Sequence, residues 1–561
     1  MPLARHLAVL TLLGLPAAAS AIEPSADRIA AVRTFADNVL GLGRDTYGPR
    51  HTPLFVDGLN VDTHEPVAWL LPAEHAEVWN MPRRWVLCNL ASQQQLFRVL
   101  DGLTTLTGEP RYREAAVEAI RYGFAHLRYT DGLLFWGGHA AWELVTDRPV
   151  GESNKDWSVN KPIPAHWDTG LVHELKCHFP YYELMWQVDA QTTRRLIEGI
   201  WASHVQRWDI LDMNRHGLYG VDRGPLWDHI YTGGPVPFVS KSLSFLHTGS
   251  DLVWAAGLLS QLDDDPRPLT WAKRLAGRYA EVRDPNTRLG ADNYNIFHSH
   301  RIRRQFEAQF GDRFTEASIT SLYGTRYGPG AVCFLKLAER LGPAGDSFKT
   351  WAVEDLAAYA KHAYDPQDGR FWVTLIDGTR LSSDDCREPG YISPGNLAKR
   401  APGPFNFWAY ALAYKLTGDA GMWEMARQIG LGLDLGDLGE RPSAPPGLNL
   451  ETAAADAHLI FALLDLHAVI PDPACLALAR RIADNLVARQ FHKGFFLPGA
   501  NHLFAKFDDA TPLALLYLEA ALRDPPVALP PYCGGHSFFH CDYEGQGRTY
   551  DGFIYGQTRG E

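Results

Sequence analysis

The chain has 561 residues, of which 46% are hydrophobic and 12% aromatic, with a formal net charge of −12. That length holds one large helical domain or two to four ordinary ones, with enough apolar material for a sizeable core. The acidic balance excludes a general nucleic-acid role, and any anionic ligand would need a locally basic cleft.

The N-terminus has the three regions of a secretory signal. Met1 to Arg5 carries one Arg, His6 to Leu15 is mostly apolar, and Ala17 to Ala21 offers an A-x-A cleavage site. A signal peptide is expected over 1–21, with a periplasmic or secreted mature enzyme. No apolar run is long enough to span a bilayer, so no membrane partner is expected, and a monomer is. Seven cysteines at this length are too few for a disulfide framework. Cys88, Cys177 and Cys333 lie in apolar contexts and read as buried thiols. Cys533 and Cys541 flank His536 and His540, which suits either a local disulfide or a small zinc knot.

From Ile29 to Leu40 apolar residues recur at helix spacing. The polar loop from Asp45 to Pro66 follows, with Arg50, His51, Asp57, Asn60, Asp62 and His64 as groups suited to binding. A repeat comes next. Leu106-Thr107-Gly108-Glu109-Pro110 returns as Leu416-Thr417-Gly418-Asp419-Ala420, each a Gly stop followed by an acidic helix start. A second unit also recurs, a short turn running into an aromatic: Asp131-Gly132 to Trp136, His216-Gly217 to Tyr219, Asp368-Gly369 to Trp372, and Lys493-Gly494 to Phe496. Helix pairs joined by such loops predict an all-α fold, an α/α toroid of helical hairpins closed into a ring. The toroid is expected over 22–525, with 526–561 an aromatic, Gly-rich extension packed on it. Small β elements are expected in the tail from Pro530 to Gln557 and over Phe371 to Ile376.

The stretch from His173 to Tyr182 concentrates acids, bases and aromatics, and Glu174 opens an amphipathic helical run to Trp186. With His139 in one Gly-aromatic loop and His216 in another, Glu174 forms a candidate metal set. Two imidazoles and a carboxylate suit a divalent transition metal (Mn, Co, Ni, Fe or Zn) better than Ca or Mg. A lone His is nonetheless more often a structural hydrogen-bonding residue, and His166 is a second candidate for the place of His139.

Gly137-Gly138-His139, His173-Glu174-Leu175-Lys176-Cys177-His178-Phe179-Pro180-Tyr181-Tyr182 and Asn214-Arg215-His216-Gly217 resemble the corresponding motifs of family 2 pectate lyases. The run Lys506 to Leu516 is similar to that family's final helix. The resemblance implies an (α/α)7 toroid, a transition-metal cofactor, and β-elimination on α-1,4-linked galacturonate, an acidic polysaccharide. It also implies Arg215 as the base, although guanidinium normally stays protonated, and a bidentate fork on a substrate carboxylate is the alternative role. Lys176, Arg223, Lys241, Tyr323 and Arg326 are candidates for binding a polyuronate, and Trp136, Trp142 and Tyr323 for stacking on sugar rings. Three other readings stay open. One is an inverting hydrolase using carboxylate pairs such as Glu143 with Glu174 or Asp168 with Asp222. The second is a sugar isomerase or epimerase. The third is a non-catalytic polyuronate-binding protein.

Overall fold

Gly108 and Gly418 end their helices in the left-handed conformation, at φ 76° and 68°. Their N–H groups return to the carbonyls of Thr104 and Tyr414. Pro110 then opens the next helix in the first copy, and in the second the Asp419 carboxylate caps it by accepting from Met422 N. The two copies of the repeat do one job, turning an inner helix into an outer one.

A computed structural model describes residues 26–70, 83–151, 171–222, 224–236, 243 and 245–294, and from there to 560 all but 295, 315, 321, 323, 389, 391, 443, 445, 471, 536, 537 and 543–547. The expected signal peptide over 1–21 lies outside the described residues, as do His166, Asp168, Arg223, Lys241, Tyr323 and His536.

The helices are α1 (Ala26–Leu42), α2 (Gln94–Thr107), α3 (Pro110–His126), α4 (Tyr182–Val188), α5 (Ala190–His204), α6 (Leu246–Leu262), α7 (Pro266–Glu281), α8 (Ile296–Phe310), α9 (Pro329–Leu341), α10 (Asp346–Ala363), α11 (Pro404–Thr417), α12 (Ala420–Gly432), α13 (Ala457–His467), α14 (Pro473–Gln490), α15 (Thr511–Ala521) and α16 (Asp551–Tyr555). Seven hairpins pack in sequence: α2 on α3, α4 on α5, α6 on α7, α9 on α10, α11 on α12, α13 on α14, and α15 on α1. The inner members touch their neighbours from α4 through α6, α9, α11, α13 and α15 to α2, while Tyr181, just before α4, ties to α2 through Gln94 and Asp101. This is the (α/α)7 ring. The last inner helix completes its hairpin with the first helix of the chain, and Arg28 locks the seam to Glu519 at 2.6 Å. One apolar core cluster runs round the whole ring. A smaller one gathers α8 with Phe314, Val373, Leu375 and Leu397 at the side.

The stretch around Glu174 departs from its expected helix. Val172–His173 is a strand, and helix begins only at Tyr182. Cys177 and Phe179 both take positive φ, 53° and 44°, and Pro180 disfavours helical geometry at the residue before it. Apolar spacing suggested a helix, but hydrogen bonds decide otherwise: the Asp251 carboxylate of α6 accepts from the backbone N–H groups of His178 and Phe179. Strands are also more widespread than expected. Ala68–Leu70, Arg84–Cys88, Ala140–Glu143 and Arg148–Gly151 form a four-stranded antiparallel sheet. In the two expected regions, Arg370–Phe371 pairs with Tyr364–Asp365, and His540–Asp542 with Arg548–Tyr550.

The segment after α15 runs up the bore of the ring. Arg523 donates to Leu106 O near the end of α2, Leu529 and Pro530 lie beside Gly102, and Arg98 donates to Pro531 O. Tyr532 stacks with Trp408 and packs tilted against Phe461, and Gly535 abuts Gln95 at the start of α2. Cys533 is a buried free thiol within hydrogen-bonding reach of Cys333 on α9. The free Cys533 thiol corrects the expectation of a local disulfide with Cys541, and the expected zinc knot involves His536 and the Cys541 side chain, which lie outside the described residues. The thiol is held in the bore by its helix neighbours. Cys88, Cys177 and Cys333 are buried free thiols as expected.

Candidate active site and metal centre

The three expected ligands sit at the end of the ring where the inner helices begin. Two short backbone devices bring them together. Strand Val172–His173 pairs antiparallel with Gly217–Leu218, with His173 opposite Gly217, so Glu174 and His216 leave the pair at the same end. His139 arrives from the third loop, where Gly138 N donates to Glu174 O at 2.6 Å. A side chain at Gly137 would put its Cβ 2.3 Å from that same carbonyl, and φ there is 110°, so only glycine lets His139 come this close. Asn89 clamps Gly137 from both sides, donating to its carbonyl and accepting from its N–H.

Glu174 is the hub. Oε2 lies 2.5 Å from His139 Nε2, 3.1 Å from Lys176 Nζ and 3.7 Å from His216 Nε2. Oε1 accepts from Arg215 Nη1 at 2.9 Å and lies 3.2 Å from His247 Nε2. Burial alone would raise this carboxyl, but Arg215, Lys176 and His139 outweigh it and hold it well below the usual carboxylate range. Burial also holds His216 well below the usual imidazole range, so its ring is neutral and suited to a metal.

His139, Glu174 and His216 each turn one ligand atom toward a common point, all within 4.8 Å of one another. Two buried imidazoles and one carboxylate form a donor set for a borderline transition metal with open positions. The ligands carry one negative charge and Arg215 and Lys176 two positive ones. A divalent ion would therefore leave the mouth strongly cationic in an acidic protein, as a polyanionic substrate requires.

Supports reach behind the ligands. Trp136 Nε1 donates to His173 Nε2, His173 Nδ1 lies 2.9 Å from His204 Nε2, and His204 Nδ1 lies 2.7 Å from Asn214 O. Read with neutral rings, this is one directed chain of donors ending at the residue before Arg215. His178 Nδ1 accepts from Lys176 N. His173 and His178 are therefore supports, as are Phe179 and Tyr182 in the core.

Of the other candidates, Lys176 joins the site and Arg326 does not. Arg326 is buried, paired with Asp355 at 3.0 Å and donating to Ala291 O and Tyr279 O. It braces the loops beneath α9. Trp136 is buried against His173 and presents no open ring face, while Trp142 is half-buried beside Phe135. Glu143 is held by Val86 N, Val145 N and Thr146, which commits it to a turn and leaves it no place as the partner acid of Glu174.

Two site residues were not singled out as candidates from sequence. His247, at the start of α6, touches Glu174 and stacks on Phe245, over whose ring the Arg215 guanidinium also lies at 4.6 Å. His540, at the end of the bore segment, packs edge-on against His139 at 4.2 Å between ring centroids. His247 has no motif around it. His540 had a signal, its isolation in a Gly-aromatic tail, but that signal pointed to the nearby cysteines.

A family model described as periplasmic pectate lyase matches residues 52–542. The chain is similar to a pectate disaccharide-lyase of Dickeya dadantii (strain 3937), 27% identical over 550 residues that cover 93% of this chain and 94% of that protein. Among solved structures it is similar to an α-1,2-mannosidase from Trichoderma reesei, with TM-score 0.48, 10% identity, and 92% of this chain and 97% of that one covered. It is also similar to a D-mannose isomerase, with TM-score 0.40, 13% identity, and 81% and 98% covered. The matched range spans His139, Glu174, Arg215 and His216. The chain belongs to the periplasmic pectate lyase family.

Proposed function

We propose that this polysaccharide lyase cleaves α-1,4-galacturonan by metal-assisted β-elimination, with His139, Glu174 and His216 as ligands and Arg215 as the base, and that it acts after export. The observation that carries this reading is the single carboxylate of Glu174, which joins both His ligands and the Arg215 guanidinium at one point.

The chemistry sets the demand. The C5 proton of a uronate is very weakly acidic, and removing it builds negative charge on the adjacent carboxylate. A divalent ion in this donor set would supply Lewis-acid charge to that carboxylate. Lys176 flanks the same point and adds fixed positive charge. Arg215 follows from its position: it precedes His216 on one turn, so the ligand fixes the guanidinium beside the uronate. Its guanidinium lies over the Phe245 ring and is largely shielded from water. Desolvation and the Lys176 cation work toward the neutral guanidine that abstraction at C5 needs, and the Glu174 carboxylate at 2.9 Å works against it. Glu174 Oε1, itself 3.2 Å from His247 Nε2, holds the guanidinium in line from the other side.

Polygalacturonate incubated with the protein should give the ultraviolet absorbance of an unsaturated uronide, abolished by EDTA and restored by Mn or Co. Arg215→Ala should lower kcat by about 10²-fold or more with metal content unchanged. Absence of absorbance on every polyuronate tried would remove the lyase reading. A variant at Arg215 with full activity would remove the base alone.

A further inference from the structure

Lys176 does not approach Glu174 unaided. Its ammonium lies 3.1 Å from Glu174 Oε2, 3.4 Å from His540 Nδ1 and 4.1 Å from the centre of the Phe538 ring. Two of these three neighbours come from the C-terminal segment, more than 360 residues away in sequence. The backbone fixes them firmly. His540 N donates to Gly138 O at 2.9 Å, so the strand is pinned to the loop that carries His139. Phe539 N donates to the Asp551 carboxylate, and the Phe539 ring packs edge-on against Trp69 at 4.9 Å. Below them the segment is threaded through the ring, with Pro531, Tyr532 and Gly535 held in turn by Arg98, Phe461 and Gln95.

We propose that Phe538 and His540 are positioning residues that seat the Lys176 ammonium as the cation receiving a uronate carboxylate of the substrate. Lysine has a long flexible stem and three donors, and an unseated ammonium would lose rotamer freedom on each binding event. The face of Phe538 attracts the cation by its quadrupole, and His540 Nδ1 accepts one of its protons. Lys176 keeps its side chain 11% exposed at the mouth. Arg215 and His247 hold the other oxygen of Glu174, so Lys176 is the cation placed to turn from that carboxylate to a substrate one. Substrate affinity is then set by a segment that reaches the site through the bore. The inference rests on the uronate substrate proposed above.

The test uses the full-length protein and four variants: His540→Ala, Phe538→Leu, Lys176→Met, and His540→Ala with Lys176→Met. Binding of trigalacturonate to EDTA-treated protein is measured by calorimetry, and KM and kcat on polygalacturonate are measured with metal. His540→Ala should weaken binding and raise KM about tenfold, the size of one charge-assisted hydrogen bond, with kcat within about twofold and metal content unchanged. Added to Lys176→Met, it should cost nothing further. Phe538→Leu keeps the segment apolar and should act in the same direction, which covers a His540 variant that does not fold. Additive losses in the double variant would overturn the proposal, as would a fall in kcat at unchanged KM. A wild-type protein inactive on polyuronates would count against the substrate reading, whereas an active one whose KM ignores both substitutions would count against the seat alone.

Discussion

Five side chains meet on one buried carboxylate, and each contributes something different. His139 and His216 bring donor atoms that could hold a metal close to it, Arg215 and Lys176 hold the carboxylate charged, and His247 fixes the oxygen that faces Arg215. His247→Ala should therefore loosen the metal about 10- to 100-fold without removing a ligand, the usual effect of losing an outer partner. Metal titration of the two proteins checks it, and equal affinities would refute it. His204 makes a different point. Burial pushes its ring down to about 4 from an ordinary 6.5. Between those values the unfolded chain takes a proton that the folded chain refuses. Stability from this group is therefore full above about pH 6.5 and is lost as pH falls toward 4. His204→Asn should remove a slope on the order of 3 kcal/mol across that window, read from urea unfolding of both proteins at each pH. Parallel profiles would show that His204 titrates normally.

At the scale of elements, the site depends on turns more than on helices. The Val172–His173 and Gly217–Leu218 pair sets Glu174 beside His216, and it closes only because residue 217 lacks a side chain. A Cβ there would fall 2.7 Å from Ser203 Oγ and 2.9 Å from His204 Nε2. Gly217→Ala should cost about 1–3 kcal/mol of stability through this overpacking. It should also lower activity more than that loss explains, because the displaced turn carries Arg215 and His216. Thermal unfolding together with kcat/KM at a temperature where the variant is folded separates the two effects. The helical repeat was readable because each Gly stop states its own conformation, as at Gly108 and Gly418. The stretch from Glu174 to Tyr181 was misread as helix because its geometry comes from Asp251, a residue far along the chain whose carboxylate takes two of its N–H groups.

The whole molecule is a ring that closes on its own ends. α1 completes the hairpin of α15, and the seam holds a buried ion pair between Arg28 and Glu519. Arg28→Met should destabilise the protein by about 3–5 kcal/mol, since it removes the cation facing a buried carboxylate. Converting Glu519 to Leu in the same chain should recover part of that loss, as measured by chemical denaturation. If Arg28→Met unfolds at the wild-type midpoint, the seam is not held by this pair. The bore segment adds a second closure, since Tyr532 and Cys533 belong to the same core as the helices around them.

The sequence by itself determined the helical ring, the Glu174, Arg215 and His216 cluster, and the place of His139 in a Gly-Gly loop. The ring rests on local signals, Gly stops and apolar spacing, whereas the cluster and His139 rest on three short motifs that resemble those of family 2 pectate lyases. Only the tertiary structure decided that Arg326 belongs to the core, that Cys533 lies beside Cys333, and that His247 and His540 reach the site. The physical reason is the same in each case. A side chain's role is set by what faces it across the ring, and neither spacing nor composition records which residue of one hairpin meets which residue of another.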